Sequence, residues 1–302
     1  MTPEQTALVE LGRALLAADY SFVTVTPETH RRVLARPARA REATLRDVFG
    51  WSRPFAHSAL PESLVQLLDR AGALEHEVGL LRSRVRFSSL GERLYVHSAF
   101  PTSELDAVFF GPDTYRYCAL LRRWAPAARR VVDIGCGSGA GGLSLPAPSE
   151  LILTDVSPHA LALAEVNAAL GERSATFVQS NVLQDVSGAL DLIVANPPYM
   201  RDASARLYRD GGGEHGEGLS VRIVRESLPR LAPGGTLIVY TGSAIVDGED
   251  TFLRAVTPLL PLDGARVDYE ELDPDVFGEE LDHPGYERVE RIAAVGLRVC
   301  VT

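Results

Sequence analysis

Val131-Val132-Asp133-Ile134-Gly135-Cys136-Gly137-Ser138-Gly139-Ala140-Gly141-Gly142 decides the fold. A short apolar run ends on a carboxylate and enters a turn in which every second residue is glycine. Glycine is needed where the backbone must reach φ > 0 or a ligand must approach closely. A helix opening after such a turn aims free N–H groups at a ligand. Gly137, Gly139 and Gly142 also satisfy the G-x-G-x-x-G spacing of a dinucleotide site. The turn alone leaves a nicotinamide or flavin site and another adenosine ligand equally open. Asp133, at the strand end, can order the turn or meet a cationic ligand.

A second stretch separates these readings. Leu190-Asp191-Leu192-Ile193-Val194-Ala195-Asn196-Pro197-Pro198-Tyr199 delivers an amide, two prolines and an aromatic ring to the end of another apolar strand. In open α/β sheets ligands bind at the carboxyl ends of the strands. The two motifs together resemble a class I S-adenosylmethionine-dependent methyltransferase of the N-P-P-Y type, a group that includes release-factor glutamine N5-methyltransferases and adenine N6-methyltransferases. The resemblance covers residues 108–302. It implies a Rossmann-like α/β fold with a seven-stranded methyltransferase sheet, an enzyme, and S-adenosyl-L-methionine as cofactor.

Around these motifs, strand patterns at 131–134, 151–154, 175–179, 192–195, 236–240, 265–271 and 292–301 alternate with helices, which predicts a mainly parallel sheet covered on both faces. The resemblance implies an antiparallel final strand. Pro146 and Pro148 shorten the first crossover helix, whereas Ser157-Pro158 opens a clear helix that ends at Leu170-Gly171.

Residues 1–107 read as a smaller N-terminal α+β part, ahead of a catalytic domain at 108–302. Leu8, Leu11, Leu15 and Leu16 share a helical face over 3–18. A second helix is expected near Thr29, stopped by Pro37, and a third over 61–73. Strands at 80–88 and 93–99 meet at the Leu90-Gly91-Glu92 turn, and helix plus hairpin resembles a winged-helix module, for docking a substrate or covering the site. Seven arginines (31, 32, 36, 39, 41, 46, 53) against Glu42 and Asp47 form either a phosphate-binding patch or a solvated face.

The resemblance places an aromatic segment over the cofactor at Phe109-Phe110-Gly111-Pro112-Asp113-Thr114, so Phe110 and Thr114 are cofactor candidates; a ring face attracts a sulfonium. Ordinary core is the alternative for both phenylalanines. Asp155, after the second strand, suits ribose hydroxyls, with Val156 beside it. The resemblance gives Asn181 the adenine edge and Val182 the ring. With Asp133, Gly135, Gly137, Gly139 and Asn196 these complete the cofactor set. The catalytic set is Asn196, Pro197 and Tyr199. A planar nitrogen is a poor nucleophile; the Asn196 side-chain oxygen and the Pro197 carbonyl can accept its two hydrogens and aim its lone pair, while Tyr199 offers a flat face. His215, in a flexible glycine-rich loop at 208–218, and His283 are candidate bases without an obvious partner. No His/Cys/Asp cluster has metal spacing.

Composition excludes other classes. The 302 residues are 46% hydrophobic and 23% charged, as in an ordinary globular protein. No apolar run is long enough to span a membrane and the N-terminus lacks signal-peptide features, so no membrane partner and a cytoplasmic location are expected. Three scattered cysteines fit a reducing compartment. All 30 basic residues are arginine. Residues 1–100 hold 13 arginines against 11 acids, and the rest 17 against 29, which argues against a broadly basic nucleic-acid clamp. The expected activity is methyl transfer to a planar nitrogen: a glutamine amide of a release-factor-like protein first, an RNA or DNA base second, a small molecule third. A nucleic-acid-binding regulator that only senses the cofactor has no need of Asn-Pro-Pro-Tyr, and an NAD-dependent oxidoreductase does not predict it.

Overall fold

The computed structural model describes residues 1–37, 40–102, 104–202, 206–261 and 263–302. The chain forms two units that are not contiguous in sequence: Met1–Arg116 with Gly137–Ala140 and His159–Ser174, and Tyr117–Cys136 with Gly141–Pro158 and Ala175–Thr302.

The first unit opens on helix α1 (Pro3–Ala17). The Thr2 side chain accepts from the Gln5 N–H, and the Gln5 side chain accepts from the Thr2 N–H at 2.6 Å, a reciprocal cap. Leu8, Leu11 and Leu15 are buried, but Leu16, expected on the same face, is 39% exposed because it lies one step around the helix from Leu15. Helix α2 (Pro27–Leu34), capped by Thr26, starts two residues before its expected position and stops short of Pro37. Helices α3 (Leu45–Phe49) and α4 (Glu62–Arg70) follow. The expected strand at 80–88 is two. Strand β1 (Leu74–Glu77) pairs with β2 (Leu80–Ser83) around Val78-Gly79, both at positive φ. Strand β3 (Val85–Leu90) pairs with β4 (Arg93–Ser98) around Gly91. Arg84 divides them; its N–H donates to the Ala73 carbonyl at 2.8 Å.

The arginine-rich stretch is largely engaged within its own surface. Arg31 and Arg32 both bond Glu28, Arg46 donates to the Ser21 carbonyl, and Arg53 donates to the Val33 carbonyl at 2.7 Å. Arg39 lies outside the described residues.

Helix α5 (Pro112–Trp124) carries the chain into the second unit. There follow β5 (Arg130–Ile134), the short α6 (Ala140–Ser144), β6 (Glu150–Asp155), α7 (Pro158–Leu170), β7 (Thr176–Gln179) and β8 (Leu190–Ala195). The chain ends through α8 (Gly218–Ser227), β9 (Leu231–Val246), β10 (Glu249–Asp250), α9 (Thr251–Val256), β11 (Ala265–Asp273) and β12 (Val289–Val301). The sheet order is β11-β12-β9-β8-β5-β6-β7, with the two-residue β10 paired to β9. From β9 to β7 the strands are parallel; β12, seated between β11 and β9, runs antiparallel to both. All seven expected strands are present, and the first crossover helix is five residues long.

Most of α7 belongs to the first unit, where Leu163, Val166 and Leu170 join the core of Leu11, Leu15 and Phe87. Gly12 allows the close approach: a Cβ there would lie 2.8 Å from Leu170 Cδ2. The second unit is held by the inner faces of its strands, with Val132, Ile193, Leu237, Val239 and Leu297 fully buried. Each such side chain contributes about 2 kcal/mol of transfer free energy. Strand order reverses between β5 and β8, so the crevice outside their carboxyl ends is the ligand position of this topology.

Candidate active site

Asp133, next to last in β5, is buried. Its Oδ1 accepts from the Tyr117 hydroxyl at 3.1 Å and its Oδ2 from the Gly142 N–H at 2.7 Å. Burial pushes its pKa up to about 7, against the pull of these two donors. The carboxylate therefore orders the turn. Gly135, Gly137 and Gly139 all have left-handed φ, at 64°, 52° and 76°. A Cβ on Gly135 would meet nothing within 4 Å. Gly142 serves differently: a Cβ there would lie 2.7 Å from Leu153 Cδ2, so it lets α6 close on the sheet.

Within the first unit, the buried Asn167 amide donates to the carbonyls of Ser138 and Val96, both at 2.9 Å, and accepts from the Val96 N–H at 2.7 Å. The turn is thereby tied to β4. Neither Tyr117 nor Asn167 emerges from the motifs; the only signal for Asn167 is one amide on an otherwise apolar helix face.

Asp155 closes β6, half-buried, and its Oδ1 accepts from the Ser157 N–H at 2.9 Å. Val156 beside it is 42% exposed. Asn181 follows β7, exposed, with Oδ1 accepting from Arg222 Nη1 at 2.9 Å. Val182 departs from its expected role. Its left-handed φ of 59° is unusual for a β-branched residue, and its side chain is buried in the core that includes Leu183 and Val186. The apolar face exposed among these loops belongs to Val156. Phe110 departs likewise: fully buried, it stacks on His97 at 5.2 Å and meets Tyr115 edge-on at 5.4 Å. Those neighbours occupy the ring that was expected to face a sulfonium. Thr114 accepts from the Gly111 N–H at 3.2 Å, which closes the first turn of α5. In the second unit, the open Gly135, the Asp155 carboxylate, Val156 and Asn181 lie at the carboxyl ends of β5, β6 and β7. Those donors, acceptors and apolar face fit an adenosine-bearing cofactor.

Asn196-Pro197-Pro198-Tyr199 leaves the end of β8, with Asn196 half-buried and Pro197 buried. Tyr199 is 7% exposed. Its ring lies on Gly242 of β9, where a Cβ would come within 2.1 Å of Cδ2, and Phe277 meets it at 6.3 Å and 61°. The expected free flat face is thus largely packed. The following loop, expected to be flexible, is pinned. The Met200 N–H donates to the Arg209 carbonyl at 3.0 Å, the Gly211 N–H to the Met200 carbonyl at 2.9 Å, and the Leu219 N–H to the Gly211 carbonyl at 2.8 Å. A Cβ on Gly211 would lie 2.0 Å from the Gly216 carbonyl oxygen, and one on Gly216 would lie 2.1 Å from that of Tyr199. His215 is mostly buried, its Nε2 3.8 Å from Glu214 Oε1, and its Nδ1 has no hydrogen-bond partner among the described residues. His283 is exposed. No cluster of metal-ligating side chains occurs among the described residues, and none of their helices is long and apolar enough to cross a membrane.

Against known proteins, the methyltransferase small domain family matches residues 118–246. The release factor glutamine methyltransferase of Bradyrhizobium diazoefficiens is 33% identical over 267 residues, which cover 78% of this chain and 88% of that one. The protein of the same description from Deinococcus radiodurans is 38% identical over 126 residues, 36% of this chain and 44% of its own length, so there the chain spans less than half of its relative. Among solved structures, a putative SAM-dependent methyltransferase from Streptococcus mutans superposes with a TM-score of 0.51 at 13% identity, covering 80% of this chain and 65% of that one; that likeness bears on the fold alone.

Proposed function

The chain belongs to the release factor glutamine methyltransferase family, and from that premise we propose that it methylates the side-chain amide nitrogen of a glutamine in a release-factor-like protein. It is an S-adenosylmethionine-dependent methyltransferase. Residues 108–302 are proposed as its catalytic domain and 1–107 as an appendage.

One observation carries the reading of the acceptor: a rigid Asn-Pro-Pro-Tyr at the carboxyl end of β8, next to the strand that bears the glycine turn. When bound, S-adenosylmethionine supplies an electrophilic methyl for in-line displacement. The chain's task is positioning. Asp155 is proposed to take the ribose hydroxyls, Val156 the adenine face and Asn181 the adenine edge. The Asn196 side-chain oxygen and the Pro197 carbonyl hold the two amide hydrogens of the acceptor, which turns its lone pair outward and favours positive charge developing on nitrogen. The prolines fix φ and keep these two acceptors in place. Tyr199, packed on Gly242, braces the loop and leaves only an edge for the substrate.

A nucleic-acid base is the weaker acceptor. Of the arginines of the 31–53 stretch that would meet phosphates, Arg31 and Arg32 bond to Glu28, and Arg46 and Arg53 to backbone carbonyls instead. The test is incubation with cofactor and a release factor of the same host, then tandem mass spectrometry of the digest. One added methyl on a glutamine amide is expected. Methyl found only on RNA, or only on other side chains, would reject the assignment.

A further inference from the structure

Residues 276–288, between β11 and β12, form a strap against Tyr199 and the residues that follow it. The strap is anchored where the Val276 N–H donates to the Ile292 carbonyl of β12 at 2.8 Å. It touches the loop at three points. Phe277, with a left-handed φ of 55°, presents its ring to Tyr199 at 6.3 Å. The Tyr286 hydroxyl, fully buried, accepts from the Arg201 N–H at 2.9 Å and donates to Met200 Sδ at 3.7 Å. Glu280, 5% exposed, bonds the Arg209 guanidinium. Arg209 is in turn the residue whose carbonyl receives the Met200 N–H, and its Nε lies 3.9 Å from Asp202 Oδ1.

A buried ion pair is weak support for stability, since desolvation offsets most of its Coulomb energy. Its directional geometry makes it better suited to fixing register between two segments, as charge-assisted bonds hold both distance and angle. Here the segments are the strap and the loop that continues from Asn-Pro-Pro-Tyr. Asp202 is already held by Arg206 through bonds of 2.7 Å to each carboxylate oxygen, so Glu280 is the acid whose removal leaves Arg209 short of a close partner among the described residues. We infer that Arg209 and Glu280 are positioning residues: their largely buried pair latches the strap onto residues 200–202 and 206–211 and so sets where Asn196 and the Pro197 carbonyl stand. Neither side chain meets the acceptor. The inference rests on the proposed glutamine reading only for its effect on turnover; its effect on the loop stands apart.

The experiment has two arms on the full-length protein. In the first, amide hydrogen exchange is followed at Met200, Arg201 and Gly211 in wild type and Glu280→Gln. Exchange about tenfold faster at these three amides, with the β5 and β8 amides unchanged, is expected for a released loop. In the second, methyl transfer is measured with calorimetric cofactor binding. A kcat lower by about tenfold to a hundredfold, with cofactor affinity within about twofold, is expected, because displacement of the acceptor groups by about 1 Å is felt in turnover. Arg209→Met with Glu280→Leu, a neutral pair, provides a folded control that should regain thermal stability without regaining kcat. Were Glu280→Gln to fail to fold, Arg209→Lys, which keeps the charge but loses the planar fork, takes its place in both arms. Wild-type protection of the three amides in the folded variant overturns the latch, and so does an equal loss of cofactor binding and turnover. If wild type methylates no glutamine, the acceptor reading fails while the exchange arm still decides the latch.

Discussion

Two glycine-rich segments look alike in the sequence and do opposite work. In the turn after β5, Gly135 has a left-handed backbone and empty space where a side chain would be. After Asn-Pro-Pro-Tyr, Gly211 and Gly216 stand where a Cβ would strike backbone oxygens at 2.0 and 2.1 Å. At Gly135 the first segment uses glycine to leave the space beside its backbone open. The second uses it to press one stretch of backbone onto another. The lesson is that glycine content alone reports neither flexibility nor a ligand: the surroundings of the missing Cβ decide.

This contrast is broken or sharpened first at Gly216. Gly216→Ala adds a clash with the Tyr199 carbonyl at a residue whose φ is 97°. Overpacking and left-handed strain together should cost about 3 kcal/mol, or displace the loop and abolish turnover. Thermal denaturation with a parallel transfer assay checks this; a variant of wild-type stability and activity would erase the distinction. Gly135→Ala meets no neighbour, so only the left-handed backbone counts, at about 1 kcal/mol. Its larger effect should be weaker cofactor binding by calorimetry, because the new methyl would stand where the cofactor is proposed to approach.

The smallest effect concerns the carboxylate behind the turn. Asp133 titrates near 7 in the folded protein and near 4 when unfolded. Between those values the folded state binds the extra proton, so this group makes stability fall as pH rises from about 4 to about 7, after which its contribution is flat. Asp133→Asn keeps the shape and cannot titrate. It should flatten that part of the melting-temperature profile while retaining the acceptor for Tyr117 or for Gly142. A profile with unchanged slope would mean that other groups set it.

How much of this was legible in the sequence follows from the range of the interactions. The seven strands and the short α6 were readable because apolar runs, Pro146 and Pro148 act locally. Leu16 lies off the buried face because a helical face has an edge that only packing defines. The strand expected over 80–88 splits at Arg84, through a long-range bond to Ala73 that no periodicity shows. Asp133 and Asp155 stand at the ends of β5 and β6, and Asn196 directly follows β8, positions that apolar runs make readable. Phe110 and Val182 are core residues instead: a ring between His97 and Tyr115, and a left-handed backbone, are facts of tertiary context. Tyr117, Asn167 and the strap form no sequence motif for the same reason; each acts on a partner 16 or more residues away.

The most direct measurement is made on Asn196→Ala, with cofactor binding by calorimetry and methyl transfer to the glutamine acceptor recorded on the same preparation. Cofactor affinity close to wild type with a kcat lower by about a hundredfold or more is the predicted result, since one acceptor of the amide hydrogens is gone while the cofactor's adenosine contacts remain. Undiminished turnover would contradict the role given to Asn196, and so would a loss of turnover that only mirrors a loss of cofactor binding.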